Sequence, residues 1–243
     1  MINMQDYWFS PSYVIYMAEK LIKIYGQKII DKDTHHFRHV GEMKCAAIML
    51  FALHRALGQN FLMRASQEEF PDVYTLYQEE VPGKLVDTKY QTVEVVTYDP
   101  HSEGDVVDFI LKTKLMNPKK SYDEDTIILC YIRKAGTYID FNYLYEKLKK
   151  NKFKPSRVFI IGNKVGYENI FVLSQVWPTI HHEAVDYIER AKTYPLPHRR
   201  LFKKGVSKKI NDEFSSSVLT TNPYEVFHID ETKVKEKYKN ETF

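Results

Sequence analysis

The chain has 243 residues, of which 44% are hydrophobic and 28% charged, and its 35 Lys and Arg against 32 Asp and Glu leave a formal net charge of +3. That length and apolar content are enough for a buried core and exclude a wholly disordered chain, and no run nears the roughly 20 apolar residues of a membrane-spanning helix. So small a net charge does not by itself argue for nucleic acid, and the two cysteines, set in the apolar runs KCAAIMLF and TIILCYIR, read as buried hydrophobes rather than a disulfide framework or a thiolate metal site.

The N-terminus, MINMQDYWFSPSY, lacks the basic-then-apolar order of a signal peptide, so a cytoplasmic location is expected, in the chain's own cell or a host's. Val14, Ile15, Met17, Leu21, Ile22 and Ile24 recur near helical spacing after a Ser-Pro start and predict an amphipathic helix over 11–31. A second helix is expected to open at Gly41 and Glu42 and to stop at Gly58; it is apolar on nearly every side, as a central helix is. Three strands follow, over 60–64, 72–78 and 90–98, the last two separated by the turn-forming EEVPGK. A helix is predicted over 104–115, a buried strand over 126–133, a helix over 141–150, and strands over 157–162 and 169–177. Beyond Pro178 a short helix is expected in HHEAVDYIERAK, after which Pro195, Pro197 and basic residues break regularity and the tail turns polar. Strands alternating with helices favour a layered α/β fold with a mixed sheet.

Three acids stand out. Glu42 lies at the start of the apolar helix, Asp72 follows Pro71 at the mouth of a strand, and Glu94 interrupts the run Thr-Val-Glu-Val-Val-Thr. Carboxylates are costly among apolar neighbours, and three on adjoining elements can hold a hard divalent cation through oxygen. Each also has a plain structural account: Glu42 as a first-turn carboxylate favoured by the helix dipole, Asp72 as a turn residue, Glu94 as an exposed position on an edge strand.

This order of elements and acids resembles the PD-(D/E)xK superfamily of metal-dependent nucleases over about residues 41–133, with Glu42, Pro71, Asp72 and Glu94 as the matching positions. The resemblance implies a restriction-endonuclease-like α/β/α sandwich around a mixed central sheet. It implies a nuclease-like core at 41–178, between an N-terminal helical extension (1–40) and a basic, partly irregular C-terminal extension (179–243). It also implies that Asp72 and Glu94, assisted by Glu42, bind Mg²⁺ or Mn²⁺, which would polarise a phosphodiester and activate water. The family's lysine two residues after the last Glu is replaced here by Val96. Three readings follow: a lysine from elsewhere substitutes (Lys112, Lys114 or Lys89), the metal acts alone, or the chain has lost catalysis and keeps the fold for binding or assembly. A magnesium-dependent endo- or exonuclease acting on DNA or RNA is the enzymatic form of the expectation. The alternative is a non-catalytic nucleic-acid-binding or protein-assembly module.

Nucleic acid is the expected partner, with a protein partner or a homo-oligomer also compatible and no membrane. Phosphate contacts are expected from Lys149, Lys150, Lys152, Lys154 and Arg157 around Phe153, and from Arg199, Arg200, Lys203 and Lys204 around Phe202. A solvated charged surface is the plain account of both runs. His35, His36 and His39 have a spacing able to bind zinc but lack an accompanying acid, so a surface or phosphate-contacting role is favoured. His181 and His182 read as surface residues near a helix start. No phosphate-binding GxxxxGK[ST] loop, GxGxxG turn or GxSxG elbow is present.

Overall fold

The Ser-Pro start works as expected: the Ser10 hydroxyl accepts the Tyr13 N–H at 3.2 Å, and Pro11 opens helix α1 (Pro11–Tyr25). Pro fits a first helical turn because the amide it lacks would have no partner there. The helix ends earlier than 31, at Gly26, whose φ of 79° is open to glycine and strained for other residues. The structure, a computed structural model, describes residues 7–26, 38–66, 71–79, 87–115, 122, 124–150, 155–195 and 200–203. The chain is α/β and falls into two units, Met1–Tyr90 with Ile188–Phe243, and Gln91–Tyr187.

In the first unit, α1 packs on the long helix α2 (Arg38–Leu57), and both pack on strand β2 (Phe61–Ala65). The helix begins at Arg38 rather than Gly41, so Glu42 lies beyond its first turn. Strand β3 (Val73–Glu79) pairs antiparallel with β2, and β1 (Tyr7–Phe9) lies between β2 and β9 (Arg200–Lys203), antiparallel to both. Side chains alternate across these strands. Phe61 and Met63 are fully buried on one face; on the other, Trp8, Leu62 and Leu76 form a cluster against which Tyr74 and Tyr90 pack. Trp8, Phe9, Tyr13 and Val14 are core residues, so part of the expected N-terminal extension is built into this unit. Residues 1–6 and 27–37 lie outside the described residues.

Strand β4 (Asp87–Tyr98) crosses from the first unit into the second, which is a mixed sheet in the order β4-β5-β6-β7-β8. Strands β4, β5 (Thr126–Ile132) and β6 (Arg157–Asn163) are parallel; β7 (Ile170–Trp177) and β8 (His181–Asp186) continue antiparallel. Parallel neighbours need a crossover, and helices supply it. Helix α3 (Val106–Ile110), capped by the Asp105 carboxylate and prolonged by one π-helical turn (Leu111–Leu115), joins β4 to β5, and α4 (Phe141–Lys150) joins β5 to β6. The expectation of one helix over 104–115 is thus met by an α turn and a wider turn in series. Strands buried on both faces read as continuous apolar runs, and TIILC of β5 is buried at every position.

The helix expected in HHEAVDYIERAK divides. Residues His181–Asp186 are strand β8, paired with β7 from Ile170↔Asp186 to Gln175↔His181, and helix α5 (Tyr187–Thr193) starts only afterwards. Pairing with β7 outweighs a local helical pattern that has no cap of its own. Strands β1 and β9, of three and four residues, give no readable two-residue period, so neither is among the predicted strands. The expected boundaries, 40/41 and 178/179, fall elsewhere than the division into compact units at 90/91 and 187/188. No helix among the described residues is long and apolar enough to cross a membrane.

Candidate functional site

Glu94 occupies the middle of β4 with 0% of its surface exposed. Its register partner is Ile128; two positions before it Thr92 pairs with Thr126, and two after it Val96 pairs with Cys130, so these six side chains share one face. Thr92 donates its hydroxyl to Thr126 at 3.0 Å. This is the face that helices cover. Tyr98, on the same side of β4, meets Phe109 of α3 at 5.1 Å between ring centroids, and Trp177, aligned with Ile128 through Val158, meets Tyr145 of α4 at 5.8 Å. Glu94 therefore lies buried on the face that the crossover helices cover, and an exposed edge position is not its role.

Asp72 is also buried, at 8% exposure, and immediately precedes β3 rather than lying in it; its carbonyl accepts the Ser66 N–H at 2.9 Å. Glu42 is half-buried on α2. Glu42 and Asp72 belong to the first unit and Glu94 to the second. Among the described residues, no group of three or more His, Cys, Asp or Glu side chains is placed to hold a metal ion. On β5 the residues in register with Thr92, Glu94 and Val96 are Thr126, Ile128 and Cys130.

The lysines proposed to replace the missing one are placed differently. Lys112 is 77% exposed and lies 3.9 Å from Asp108 one turn before it, on the solvent side of its turn, whereas Glu94 is inside. Lys114 follows in the same π-helical turn, and its side chain is outside the described part. Lys89 is exposed, at the first-unit end of β4. Val96 is buried.

Of the basic residues, Lys149 and Lys150 are exposed in the last turn of α4, where positive charge also offsets the helix dipole. Arg157 is half-buried at the start of β6. Helix α4 is strongly two-sided, with Leu144 and Leu148 buried and Tyr143, Glu146, Lys149 and Lys150 in solvent. Arg200 and Lys203 are placed on β9 by their backbone; Lys152, Lys154, Arg199 and Lys204 lie outside the described residues, as do His35 and His36. His39 falls in the first turn of α2. His182 lies on β8, where its Nδ1 is 2.8 Å from the Ser174 hydroxyl, and its ring meets Phe141 edge-on.

Two features escaped the sequence reading. Arg64 of β2 is held between aromatic rings, its guanidinium 4.7 Å from the Tyr74 centroid and 5.1 Å from that of Trp8. Tyr90 packs beside them, and burial pushes its hydroxyl pKa up to about 12, with the Arg64 charge partly opposing the shift. This aromatic box is filled by the protein's own cation. The second feature is a set of exposed tyrosines, Tyr138, Tyr143 and Tyr167, in the second unit. Their signal was available in the loop strings GTYID and KVGYE, where an aromatic among turn residues has no core to enter.

No family model matches the chain, and neither a curated protein nor a solved structure matches it.

Proposed function

We infer that the chain is a nucleic-acid-binding α/β protein with an arrangement of elements like that of the metal-dependent nucleases but without phosphodiester cleavage. One observation carries this reading: accessibility is inverted relative to what catalysis needs. Asp72 and Glu94 are inside, at 8% and 0% exposure, while Lys149 and Lys150 are in solvent. A scissile phosphate has to reach both metal and water, and a carboxylate under a helical layer offers it no surface. Val96, apolar and buried, cannot orient water or neutralise developing charge. Surface lysines, in contrast, need only a backbone to track, because phosphate contacts supply most of the sequence-independent affinity.

A second reading has its own support. Asp72 follows Pro71 immediately before β3 and Glu94 lies within β4, the positions at which the resemblance puts metal-binding carboxylates, and Mg²⁺ or Mn²⁺ held by Asp72 and Glu94 with Glu42 would give a metal-dependent nuclease. The two readings separate in one assay, in which the purified chain is incubated with plasmid, linear DNA and RNA in Mg²⁺, in Mn²⁺ and in chelator. The binding-only reading expects intact substrates in all three. Cleavage that requires the metal and is abolished by Asp72→Ala with Glu94→Ala would replace it with the nuclease reading.

A further inference from the structure

The three exposed tyrosines of the second unit are not scattered. Ile132 of β5 and Gly162 of β6 are register partners on parallel neighbours, so the segments that leave these strands emerge side by side at the same end of the sheet. The first carries Tyr138, 81% exposed, and runs directly into α4, where Tyr143 is 46% exposed; the second is the β6–β7 turn, with Tyr167 at 53%. Ligands of open α/β sheets characteristically bind outside the carboxyl ends of the parallel strands.

Two of these rings are held in fixed partnership with a lysine. The Tyr167 N–H donates to the Lys164 carbonyl at 3.1 Å, closing a four-residue turn whose third position, Gly166, has the φ of +81° that a type II turn requires. That closure sets the Lys164 ammonium 4.5 Å from the Tyr167 ring centroid. On α4, Tyr143 and Lys147 are one helical turn apart, and the ammonium lies 5.0 Å from the ring. Each ammonium lies over one face of its ring, so a base would stack on the other with the cation in reach of the neighbouring phosphate, and a ring paired with a cation is the repeating unit of single-strand recognition.

Charge does not dominate this edge, because Asp140, Glu146 and Glu168 alternate with the lysines. Affinity there has to come from ring stacking, which duplex bases, already stacked on each other, cannot offer. The exposed residues around Tyr167 are Asn163, Lys164, Glu168 and Asn169, with Val165 the apolar exception, a setting too polar for the core of a protein interface.

We propose that Tyr138, Tyr143 and Tyr167, at the carboxyl-end edge of the second unit, form a stacking platform for single-stranded nucleic acid. The inference rests on the nucleic-acid reading above and names its substrate class.

The test is fluorescence anisotropy of labelled oligo(dT), oligo(U) and a duplex of equal length, titrated with the full chain. Tyr138→Ala and Tyr167→Ala are each expected to weaken single-strand binding by about tenfold, the usual loss for one stacked base. The corresponding Tyr→Phe variants should keep wild-type affinity, since the ring and not the hydroxyl does the stacking. Duplex affinity should be the same in all variants. Duplex binding alone, or single-strand affinity unmoved by removing all three rings, overturns this inference and leaves the nucleic-acid reading standing; the rings would then belong to a protein contact. Absence of binding to every oligonucleotide overturns both.

Discussion

At the scale of single residues, the most consequential fact is where polar groups have been buried. Glu94 is fully buried on β4, in register with Ile128, and Lys44 of α2 is buried with its ammonium 2.8 Å from the Glu19 carboxylate of α1. The Lys44 pair shows how this fold handles an internal charge, by a partner on the neighbouring helix. Tyr90 and Tyr194 instead hold their protons more tightly. Burial raises the hydroxyl pKa of Tyr90 to about 12, and burial also raises that of Tyr194, whose hydroxyl accepts the Phe61 N–H and donates to the Phe61 carbonyl. An unfolded tyrosine ionises near 10. Above that pH the unfolded chain has released a proton that folded Tyr90 keeps, so the unfolded state binds fewer protons and stability falls as pH rises. The contribution is complete below about pH 10 and lost on the way to pH 12. Urea midpoints at pH 8, 10 and 11 should therefore decline less steeply in Tyr90→Phe than in the wild type. Parallel decline in the two proteins would show that this hydroxyl is not enclosed as described.

The elements divide by what they bury. Helix α4 fastens to the sheet through Leu144 and Leu148, both fully buried, and turns its lysines outward. Leu148→Ala should cost about 2–4 kcal/mol in chemical denaturation, the range for truncating a core leucine, whereas Lys149→Ala with Lys150→Ala should stay within about 0.5 kcal/mol of wild type per site. A small loss for Leu148→Ala would mean that α4 is not anchored by that face.

Element type was legible in the sequence wherever a pattern was long. The apolar run of β5, the Ser-Pro start of α1 and the two-sided spacing of α4 each point to one local structure, and each is present. What could not be read was pairing. Strand β8 is a strand because β7 offers it an edge, and β1 and β9 exist only through each other and β2. The partners of β1 and β9 are remote in sequence, and β8, although it follows β7 directly, has only Ala184 and Val185 as apolar residues in HHEAVD and so no readable period. The site was legible only as far as burial: a Glu among valines says that it lies inside, and β4 places Glu94 there. Nothing in the run Thr-Val-Glu-Val-Val-Thr says which side chains meet it, since these come from β5, more than thirty residues on. Of the exposed tyrosines, Tyr138 and Tyr167 have a signal in their turn strings, whereas Tyr143 lies on α4, where exposure depends on which face the helix buries.

For the molecule as a whole, a net charge of +3 cannot hold a polyanion, so binding has to depend on where cations are presented. On the nucleic-acid-binding reading proposed above, Lys149 and Lys150, exposed at the end of α4, serve this purpose, while Asp72 and Glu94 are buried and Glu42 half-buried. On that proposed reading the protein grips the phosphate backbone without cleaving it. The measurement that tests this most directly is the affinity for a DNA duplex across a series of salt concentrations, for the wild type and for the variant carrying Lys149→Ala and Lys150→Ala. The account predicts a linear fall of log affinity with log salt, and a slope about 2 shallower in the variant, near one for each phosphate contact removed. An affinity that is flat in salt, or a slope the same in both proteins, would contradict it.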